Sequence, residues 1–464
     1  MDKETNLPVK LAIDIGTTKI CAILSVPDKT KQAIEILGVG VAESEGLNRG
    51  VVVNIDKTVK AIRKAVEQAE QQSGLKSNKV TVGIAGDHIQ STLSHHIISV
   101  SNPQKEITKE EVDRLIKEAS KIPLSLERKI IHLFPQEYII DGQDGVIEPI
   151  GMSGVRMEAK IHIVTGMATA IDNIYKCINR AGLEVEELIL EPLASSYAVL
   201  SEDEKEVGVA LIDIGGGTTD IAIFVDNVIK YTDVIALGGS LLTDDVRRVL
   251  NIVKNEAERI KREYGHCYLN SLHKDDILQI PPVGGRTPKE IKKSDLVLIL
   301  QSRMTEILKF VNTALINSGF KDQLGAGVVI TGGTTLLTGI DELAEEVLSL
   351  PVKIGIPTGI SSKGLAPEVE NPIFATGVGL ALYSFRNYFQ TEESFEENKN
   401  ETEQNIETKM SEEQDLKNKI EEKESVEEID ENKNLKEEKS KKKKKEKSQK
   451  TNILDKVKEI FEQF

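Results

Sequence analysis

Cysteine is scarce in this chain of 464 residues. The three cysteines, Cys21, Cys177 and Cys267, are odd in number and lie far apart in the sequence. A disulfide framework is therefore not expected, and a reducing compartment fits this usage. No motif in the sequence supports catalytic cysteine chemistry.

Long apolar runs and an excess of positive charge are also lacking. No stretch of about 18 apolar residues occurs, and the first residues, MDKETNLPVK, do not contain the apolar core of a signal peptide. We therefore expect a cytoplasmic protein without a transmembrane span. The formal net charge of -16 and the pI near 5.2 argue against general nucleic-acid binding, which favours a basic surface.

Regular alternation of strand-like and helix-like segments extends from about Val9 to Phe389. Runs rich in β-branched residues, such as VKLAIDIG, alternate with helical stretches, such as TVKAIRKAVEQAEQ. This alternation predicts an α/β fold. The length and the 39% hydrophobic content leave room for two or three domains with sizeable cores.

The composition changes after Phe389. Residues 391–440 contain 19 Asp and Glu against 8 Lys and no Gly or Pro, which predicts a disordered linker over 390–450. Residues 441–450 hold seven lysines. In isolation this block is a solvated charge run, but beside an apolar helix it is a candidate to contact anionic lipid headgroups.

The segment 451–464, TNILDKVKEIFEQF, predicts a short amphipathic helix with Asn452 as its N-cap. A helix of about 13 residues is marginal in water, so it should form when its apolar face is buried. The bilayer interface is the favoured partner, and the protein's own folded part is the alternative. Six apolar residues fall within one arc of about 120°: Ile453, Leu454, Val457, Ile460, Phe461 and Phe464.

Two segments of similar sequence, LAIDIGTTKICAIL at 11–24 and ALIDIGGGTTDIAIF at 210–224, predict phosphate-binding hairpins. Glycines allow backbone N–H groups to approach phosphate oxygens, and Asp14 and Asp213 could hold a hydrated magnesium ion. One such hairpin is structurally ordinary, but two suggest duplicated domains that face each other across a nucleotide. The predicted nucleotide contacts in the turns are Gly16, Thr17, Thr18, Lys19, Gly215, Gly216, Gly217 and Thr218.

These hairpins resemble the phosphate motifs of the superfamily that contains actin, heat-shock chaperones and sugar kinases. LILEPLASSYAVL at 188–200 resembles its connecting helix, which implies that the catalytic residue Glu191 lies near the attacking water. AERIKREYG at 257–265 and VVITGGTTLLTGI at 328–340 resemble the adenosine motifs, although the first could also be a solvated helix face. Together with ALGGSLLTDDV at 236–246, they imply the further nucleotide contacts Gly238, Gly239, Glu258, Lys261, Arg262, Gly332 and Gly333.

The segment IHLFPQEYIIDGQDGVIEPIGMSGVRMEAKIHIVTG at 131–166 closely resembles the subdomain inserted in the FtsA family of bacterial cell-division proteins. The resemblance spans about residues 9–389. It implies a two-domain actin-like α/β fold that binds ATP and Mg and polymerises into protofilaments. The predicted parts are a first domain (9–88, 161–207 and 368–389), an inserted subdomain (89–160), a second domain (208–240 and 302–367), a small subdomain (241–301), the linker (390–450) and the terminal helix (451–464).

The same resemblance implies the role and the partners. FtsA-like proteins attach the FtsZ ring to the inner face of the cytoplasmic membrane at the septum, and they recruit later division proteins. The C-terminal peptide of FtsZ should dock on the small subdomain, where Lys292, Lys293 and Arg303 could meet an acidic peptide, although ordinary surface charge is an equal alternative. The inserted subdomain should carry filament contacts and contacts to later partners. We expect ATP binding with slow hydrolysis at most.

Three other functions fit parts of the pattern. A small-molecule kinase of the same fold would need a substrate pocket and a carboxylate general base. A chaperone would need a β-rich peptide-binding domain after residue 389. An FtsA-like pilus assembly protein is the nearest alternative, and the terminal helix with the stretch PIGMSGVRMEAKIHI favours the division protein instead.

Overall fold

The computed structural model describes residues 7–28, 33–102, 106–280, 289–389, 440 and 443–445. Nearly all of the predicted linker, with most of its lysine block, and the whole terminal helix of 451–464 lie outside the described residues. The chain up to Arg386 forms one compact unit, and the fold below is that of this unit. Among the described residues, no helix is both long enough and apolar enough to span a bilayer.

Strands alternate with helices along the compact unit, as the sequence predicts. The strands, in chain order, are β1 (Lys10–Ile15), β2 (Lys19–Asp28), β3 (Ala33–Glu43), β4 (Leu47–Asn48), β5 (Val51–Val52), β6 (Lys79–Ile84), β7 (Gln90–Ser99), β8 (Arg128–Ile140), β9 (Gln143–Val146), β10 (Arg156–Met167), β11 (Glu184–Leu190), β12 (Val209–Ile214), β13 (Thr219–Val225), β14 (Val228–Ile235), β15 (Ile277–Ile280), β16 (Lys289–Lys292), β17 (Val328–Thr331), β18 (Val352–Ile354) and β19 (Ile360–Gly364).

The helices fill the connections between these strands. In chain order they are α1 (Ile55–Ser73), α2 (Lys109–Ala119), α3 (Ala168–Ala181), α4 (Glu191–Val199), α5 (Glu202–Val207), α6 (Gly239–Leu250), α7 (Lys254–Tyr264), α8 (Lys293–Ser318), α9 (Ile340–Leu348), α10 (Ala366–Val369) and α11 (Ala375–Ser384). Short 3-10 turns lie at Leu269–Ser271, Lys321–Gln323, Gly333–Leu336 and Pro372–Phe374.

Two sheets repeat one topology. The first sheet has the order β11-β6-β1-β2-β3-β19, and the second has the order β14-β13-β12-β17-β18. Each begins with an antiparallel meander (β1 to β3, β12 to β14) and adds two parallel strands beside its first strand. The duplication predicted from the two hairpins is therefore present in the fold. Strand β19 joins the first sheet beside β3, so the chain returns to it before residue 368.

Helices α4 and α11 pack closely at the junction of the two sheets. A Cβ atom at Gly379 of α11 would lie 1.9 Å from the carbonyl oxygen of Ala194 in α4, so glycine permits this helix contact. Helix α11 also packs against β1, β2 and β6, whereas α4 contacts β11 of the first sheet and β12 and β13 of the second. Helix α11, the last helix of the compact unit, thus packs in the same core as β1, its first strand.

The inserted subdomain is a four-stranded antiparallel sheet of order β7-β10-β8-β9 that packs on α2. Its own core includes Leu115 of α2 and Met157 and Ile161 of β10, all fully buried. The sheet begins at Gln90 and its last strand ends at Met167, so β10 continues beyond the predicted boundary at 160.

The small part of the second half consists of α6, α7, the β15–β16 hairpin and the start of α8. Leu278 and Ile291 from the hairpin, Ile260 from α7 and Leu296 from α8 join the same apolar core as the second sheet. Helix α8 runs without interruption to Ser318, through the predicted boundary at 301. This part is therefore anchored to the second sheet by a continuous helix.

Candidate functional site

The turns of the two Gly-Thr hairpins face each other at the centre of the compact unit. A Cβ atom at Gly216 would lie 2.4 Å from Cγ2 of Thr18, and one at Gly217 would lie 2.5 Å from Oγ1 of Thr17. The fold thus brings together two motifs that lie about 200 residues apart in the sequence. Glycine at these two positions lets the turns approach with their backbone N–H groups unshielded.

Lys19 and Asp14 form an ion pair in the first hairpin, with 2.8 Å between Nζ and Oδ2. Burial alone would lower the pKa of Lys19, but the charge and the hydrogen bond of Asp14, together with the charges of Cys21 and Asp213, outweigh it, so the net direction is upward. The ammonium group therefore stays charged at neutral pH. It also lies over the ring of Phe374, 5.6 Å from the centroid.

Asp213 occupies the matching position in the second hairpin. Its Oδ2 accepts hydrogen bonds from the hydroxyls of Ser195 in α4 at 3.0 Å and Thr376 in α11 at 3.2 Å. Burial raises the pKa of Asp213, and these hydroxyls and Lys19 act in the opposite direction. The two helices at the sheet junction therefore fix the orientation of this carboxylate.

Asp220 is a further acidic residue of the site that the sequence analysis missed. It is paired in register with Asp213 across the β12–β13 hairpin, and its Oδ2 accepts a hydrogen bond from Thr218 at 2.9 Å. Its Oδ1 is buried and has no hydrogen-bond partner among the described residues. Burial, together with the charge of Asp213, raises the pKa of Asp220 to about 7. A buried acceptor without a partner indicates a group that interacts with a ligand or its water shell.

Glu191 is the first residue of α4 and points into the same cluster. Its side chain packs on Gly83 of β6, where a Cβ atom would lie 2.9 Å from the Glu191 Cγ. Burial raises the pKa of Glu191 well above its ordinary value, and the negative charges of Asp14, Asp220 and Asp213 raise it further. Four carboxylates thus converge with one lysine, an arrangement that a bound cation would stabilise.

The donor set fits magnesium that keeps much of its water shell. Among the described residues, no group of three or more His, Cys, Asp and Glu side chains is arranged to hold a metal ion by itself. Magnesium typically uses one or two protein carboxylates and completes its shell with water and phosphate oxygens. Asp14 and Asp213 match such a partial site, and Oδ1 of Asp220 is an acceptor available to a coordinated water.

Helix α7 presents Glu258, Lys261 and Arg262 on the second half. Lys261 Nζ lies 2.8 Å from Glu258 Oε2 and also donates to the carbonyl of Gly239 at 3.1 Å and to Thr243 at 2.8 Å. Burial lowers the pKa of Lys261, against the charge of Glu258. These contacts hold α7 against the start of α6, while Arg262 is exposed.

Two glycine loops border the second hairpin. Gly332 has φ +91°, and a Cβ atom there would lie 2.3 Å from Oδ1 of Asp213, so only glycine fits. The carbonyl oxygen of Gly215 accepts two hydrogen bonds, one from the backbone N–H of Gly239 at 2.9 Å and one from Oγ1 of Thr334 at 2.9 Å. Gly239 directly follows Gly238, and Thr334 directly follows Gly333. The predicted glycine pairs therefore meet at one point of the phosphate turn.

The remaining predicted residues lie away from this cleft. Arg303 is paired with Asp245 of α6, with 2.6 Å between Nε and Oδ2, and also with Glu306. Lys292 ends β16 and is exposed, and Lys293 begins α8. The predicted membrane contacts lie outside the described residues: Ile453, Leu454, Val457, Ile460, Phe461 and Phe464.

Two sheets of matching topology, each with a Gly-Thr hairpin that faces the other, define a protein of the actin-like class. The family description "Cell division protein FtsA" matches residues 210–379, and "SHS2 domain inserted in FTSA" matches residues 86–165. The cell-division protein FtsA of Pseudomonas aeruginosa is 42% identical over 376 residues, which cover 81% of this chain and 89% of that protein. The chain belongs to the FtsA family of bacterial cell-division proteins.

Solved structures support the same fold. The PilM-PilN type IV pilus biogenesis complex contains a chain with a TM-score of 0.59 and 16% identity, and the match covers 81% of this chain and 98% of that one. MreB5 of Spiroplasma citri bound to ADP has a TM-score of 0.51 and 15% identity, covering 83% of this chain and 98% of that one. The predicted actin-like fold and the family resemblance are thus confirmed.

Proposed function

We propose that this protein binds ATP with magnesium in its central cleft, polymerises, and tethers the FtsZ ring to the inner face of the cytoplasmic membrane. The observation that carries the nucleotide part is the approach of the two Gly-Thr turns over the cluster of Asp14, Asp213, Asp220 and Glu191. An acidic cluster beside a buried lysine suits a polyphosphate with its cation.

Each residue of the cleft has a defined role in this proposal. The turn N–H groups and the ammonium group of Lys19 would donate hydrogen bonds to phosphate oxygens, and Asp14 and Asp213 would hold a hydrated magnesium ion. A magnesium ion in this cleft would supply positive charge between the carboxylates and the phosphate oxygens. Glu191 would accept a hydrogen bond from the attacking water and orient it toward the phosphoanhydride bond of ATP. We expect tight binding with slow turnover.

The terminal segment 451–464 supplies the membrane contact. Its six apolar side chains contribute several kcal/mol when they enter the bilayer interface, at ~25 cal/mol per Å² buried, less the cost of forming the helix. A single anchor of this size binds reversibly. Polymerised copies bind together, and avidity strengthens attachment by roughly a hundredfold without new contacts. Polymer state thereby controls membrane residence.

The charged linker lets the folded part reach its partners while anchored. A flexible chain of about 60 residues spans roughly 45 Å on average. The acidic C-terminal peptide of FtsZ docks beside Lys292, Lys293 and Arg303, and later division proteins contact the inserted subdomain.

Liposome co-sedimentation tests the tether. The full chain and a version that ends at Lys450 are mixed with anionic liposomes, with and without ATP and magnesium. We expect only the full chain to pellet, and ATP to increase the pelleted fraction. Two matched substitutions separate apolar insertion from helix propensity: Phe461→Ser on the predicted apolar face and Gln463→Ser on the predicted polar face. We expect only Phe461→Ser to reduce the pelleted fraction.

Three outcomes would contradict the tether. Equal pelleting of both versions would assign lipid contact to the lysine block or the folded part. Absence of pelleting for both would indicate that the terminal segment binds a protein. Loss of ATP affinity in the shortened version would instead favour docking of the segment on the folded part.

A further inference from the structure

One face of the inserted sheet is directed at the junction of the two halves. His132, Phe134 and Gln136 alternate along β8, and His162 of β10 is paired in register with Phe134. The His132 and Phe134 rings stack with centroids 5.2 Å apart, and the Phe134 and His162 rings lie 6.3 Å apart. We call these four residues the seam face. Its side chains form a continuous row between the first sheet and the second.

One end of the seam face contacts the first half beside Glu191. The backbone N–H of Leu190 donates to Nε2 of His132 at 3.0 Å. Leu190 is the last residue of β11, the edge strand of its sheet, and it immediately precedes α4. Leu190 is the N-cap residue of α4 and has no polar side-chain atom, and its own backbone N–H is held by His132.

The other end of the seam face contacts the second half. Nε2 of Gln136 donates to the carbonyl oxygens of Ile229 at 3.1 Å and Lys230 at 2.6 Å. Nε2 of His162 lies 2.9 Å from Oγ1 of Thr232. These three partners belong to β14, the edge strand of the second sheet. The inserted subdomain therefore contacts both sides of the cleft through one face.

The protonation state of His132 suits its role as an acceptor. Burial lowers the pKa of His132 to about 4. The positive charge of Arg386 lowers this pKa further, and the negative charge of Glu187 opposes the shift. The ring is therefore neutral near pH 7, and Nε2 can accept from Leu190 while Nδ1 carries the proton. The charged neighbours Glu187 and Arg386 are themselves paired at 2.6 Å.

We propose that His132 is a positioning residue for Glu191, through which the inserted subdomain sets the rate of ATP hydrolysis. The inference rests on the proposed function, because it assumes that Glu191 orients the attacking water. A displacement of Leu190 moves the adjacent Glu191, and a misplacement of about 1 Å can slow a reaction by up to ~100-fold. A shift of the inserted subdomain relative to the first half would alter the hydrogen bond between His132 and Leu190, and the contacts with β14 link such a shift to the second half.

The test compares two substitutions of His132 in the full chain. His132→Leu removes the acceptor, and His132→Gln retains one in the side-chain amide oxygen. We expect His132→Leu to lower the single-turnover hydrolysis rate ~10-fold while the equilibrium ATP dissociation constant changes less than ~2-fold, and His132→Gln to restore most of the rate. His96→Leu is the matched control on β7, where the ring contacts Ser94 at 3.0 Å, and it should behave like wild type.

A second arm asks whether His132 acts through Glu191. If it does, adding His132→Leu to Glu191→Gln should cause little further loss, because coupled residues are non-additive. Equal rates for His132→Leu and wild type, no advantage of Gln over Leu, or full additivity with Glu191→Gln would each overturn the proposal. ATP binding without turnover in the wild-type protein would remove both this proposal and the hydrolytic role of Glu191. Absence of ATP binding would instead refute the proposed function.

Discussion

Asp213 and Asp220 are directly opposite each other in the β12–β13 hairpin, and both are buried. Like charges in such a pair are destabilising, so their presence indicates a requirement other than folding. In the first hairpin the equivalent register pair is Asp14 and Cys21, and the positive charge comes from Lys19. The second hairpin thus lacks a cation of its own, and the cleft as a whole carries an excess of carboxylates.

The first prediction concerns the pH dependence of stability without nucleotide. The pKa of Asp220 is about 7 in the folded protein against 3.8 as its ordinary value, so the folded state binds more protons between these values. The free energy of unfolding should therefore fall as pH rises from about 4 to 7. Asp220→Asn should therefore raise stability more at pH 8 than at pH 4, by up to about 4 kcal/mol at ~1.4 kcal/mol per pKa unit. Urea denaturation at both pH values measures this, and an equal effect of the substitution at both would contradict it.

The second prediction concerns Glu191. Glu191→Gln keeps the packing on Gly83 and removes the carboxylate. Hydrolysis should slow ~100-fold in single-turnover measurements, because general-base or water-orienting groups contribute on this scale. ATP affinity should be retained, because glutamine preserves the size and the packing of this side chain. Unchanged turnover would exclude Glu191 from the reaction.

The third prediction concerns the contact of the two turns. Gly216→Ala places a Cβ 2.4 Å from Thr18, which should force the turns apart and weaken ATP affinity ~10-fold. In a Thr18→Ala background the closest side-chain atom would be the Thr18 Cβ position at 3.2 Å, so the same substitution should cost much less. Titration of the four proteins with ATP gives the coupling. An identical loss in both backgrounds would show that the turns do not need to approach.

The fourth prediction concerns the proposed FtsZ contact. Replacing Lys292 and Lys293 by Glu should weaken binding of an acidic FtsZ tail peptide ~10-fold at low salt, with less effect at high salt. Arg303→Ala should have a smaller effect, because its guanidinium is already paired with Asp245. Lys309→Glu, an exposed position further along α8, is the control. If the double Glu variant binds normally in a fluorescence-anisotropy titration, these lysines are ordinary surface charge.

The alternation of segments predicted an α/β fold, and the family resemblance supplied its actin-like architecture. The similarity of the two Asp-Gly-Thr hairpins suggested duplicated halves that face each other, and in the structure Gly216 of one turn lies against Thr18 of the other. Asp220 was missed even though a signal was present. Once the four-residue turn Gly215–Thr218 is recognised, strand register places residue 220 opposite Asp213. A polar residue at that point of a buried strand was the available clue.

Contacts between distant segments could not be predicted in this way. His132 lies 58 residues from Leu190 in the sequence, and Gln136 lies 93 residues from Ile229. No local sequence pattern marks either position as a contact residue. A polar residue on an exposed sheet face is expected to face water unless the element that packs on it is known. Arg303 was predicted to be available to a partner peptide. Its sequence context gives no sign that its guanidinium is already paired with Asp245.

The packing of α11 against β1 also orders events during synthesis. The compact unit requires both its first strand and Ala375–Ser384, so its core can close only after the ribosome has made that helix. About 80 residues follow Ser384, which at ~5–20 residues per second takes about 4 to 16 s to translate. The last part of the compact unit is therefore made before residues 451–464. Under the proposed function, the cleft can assemble before the segment proposed to contact the membrane is complete.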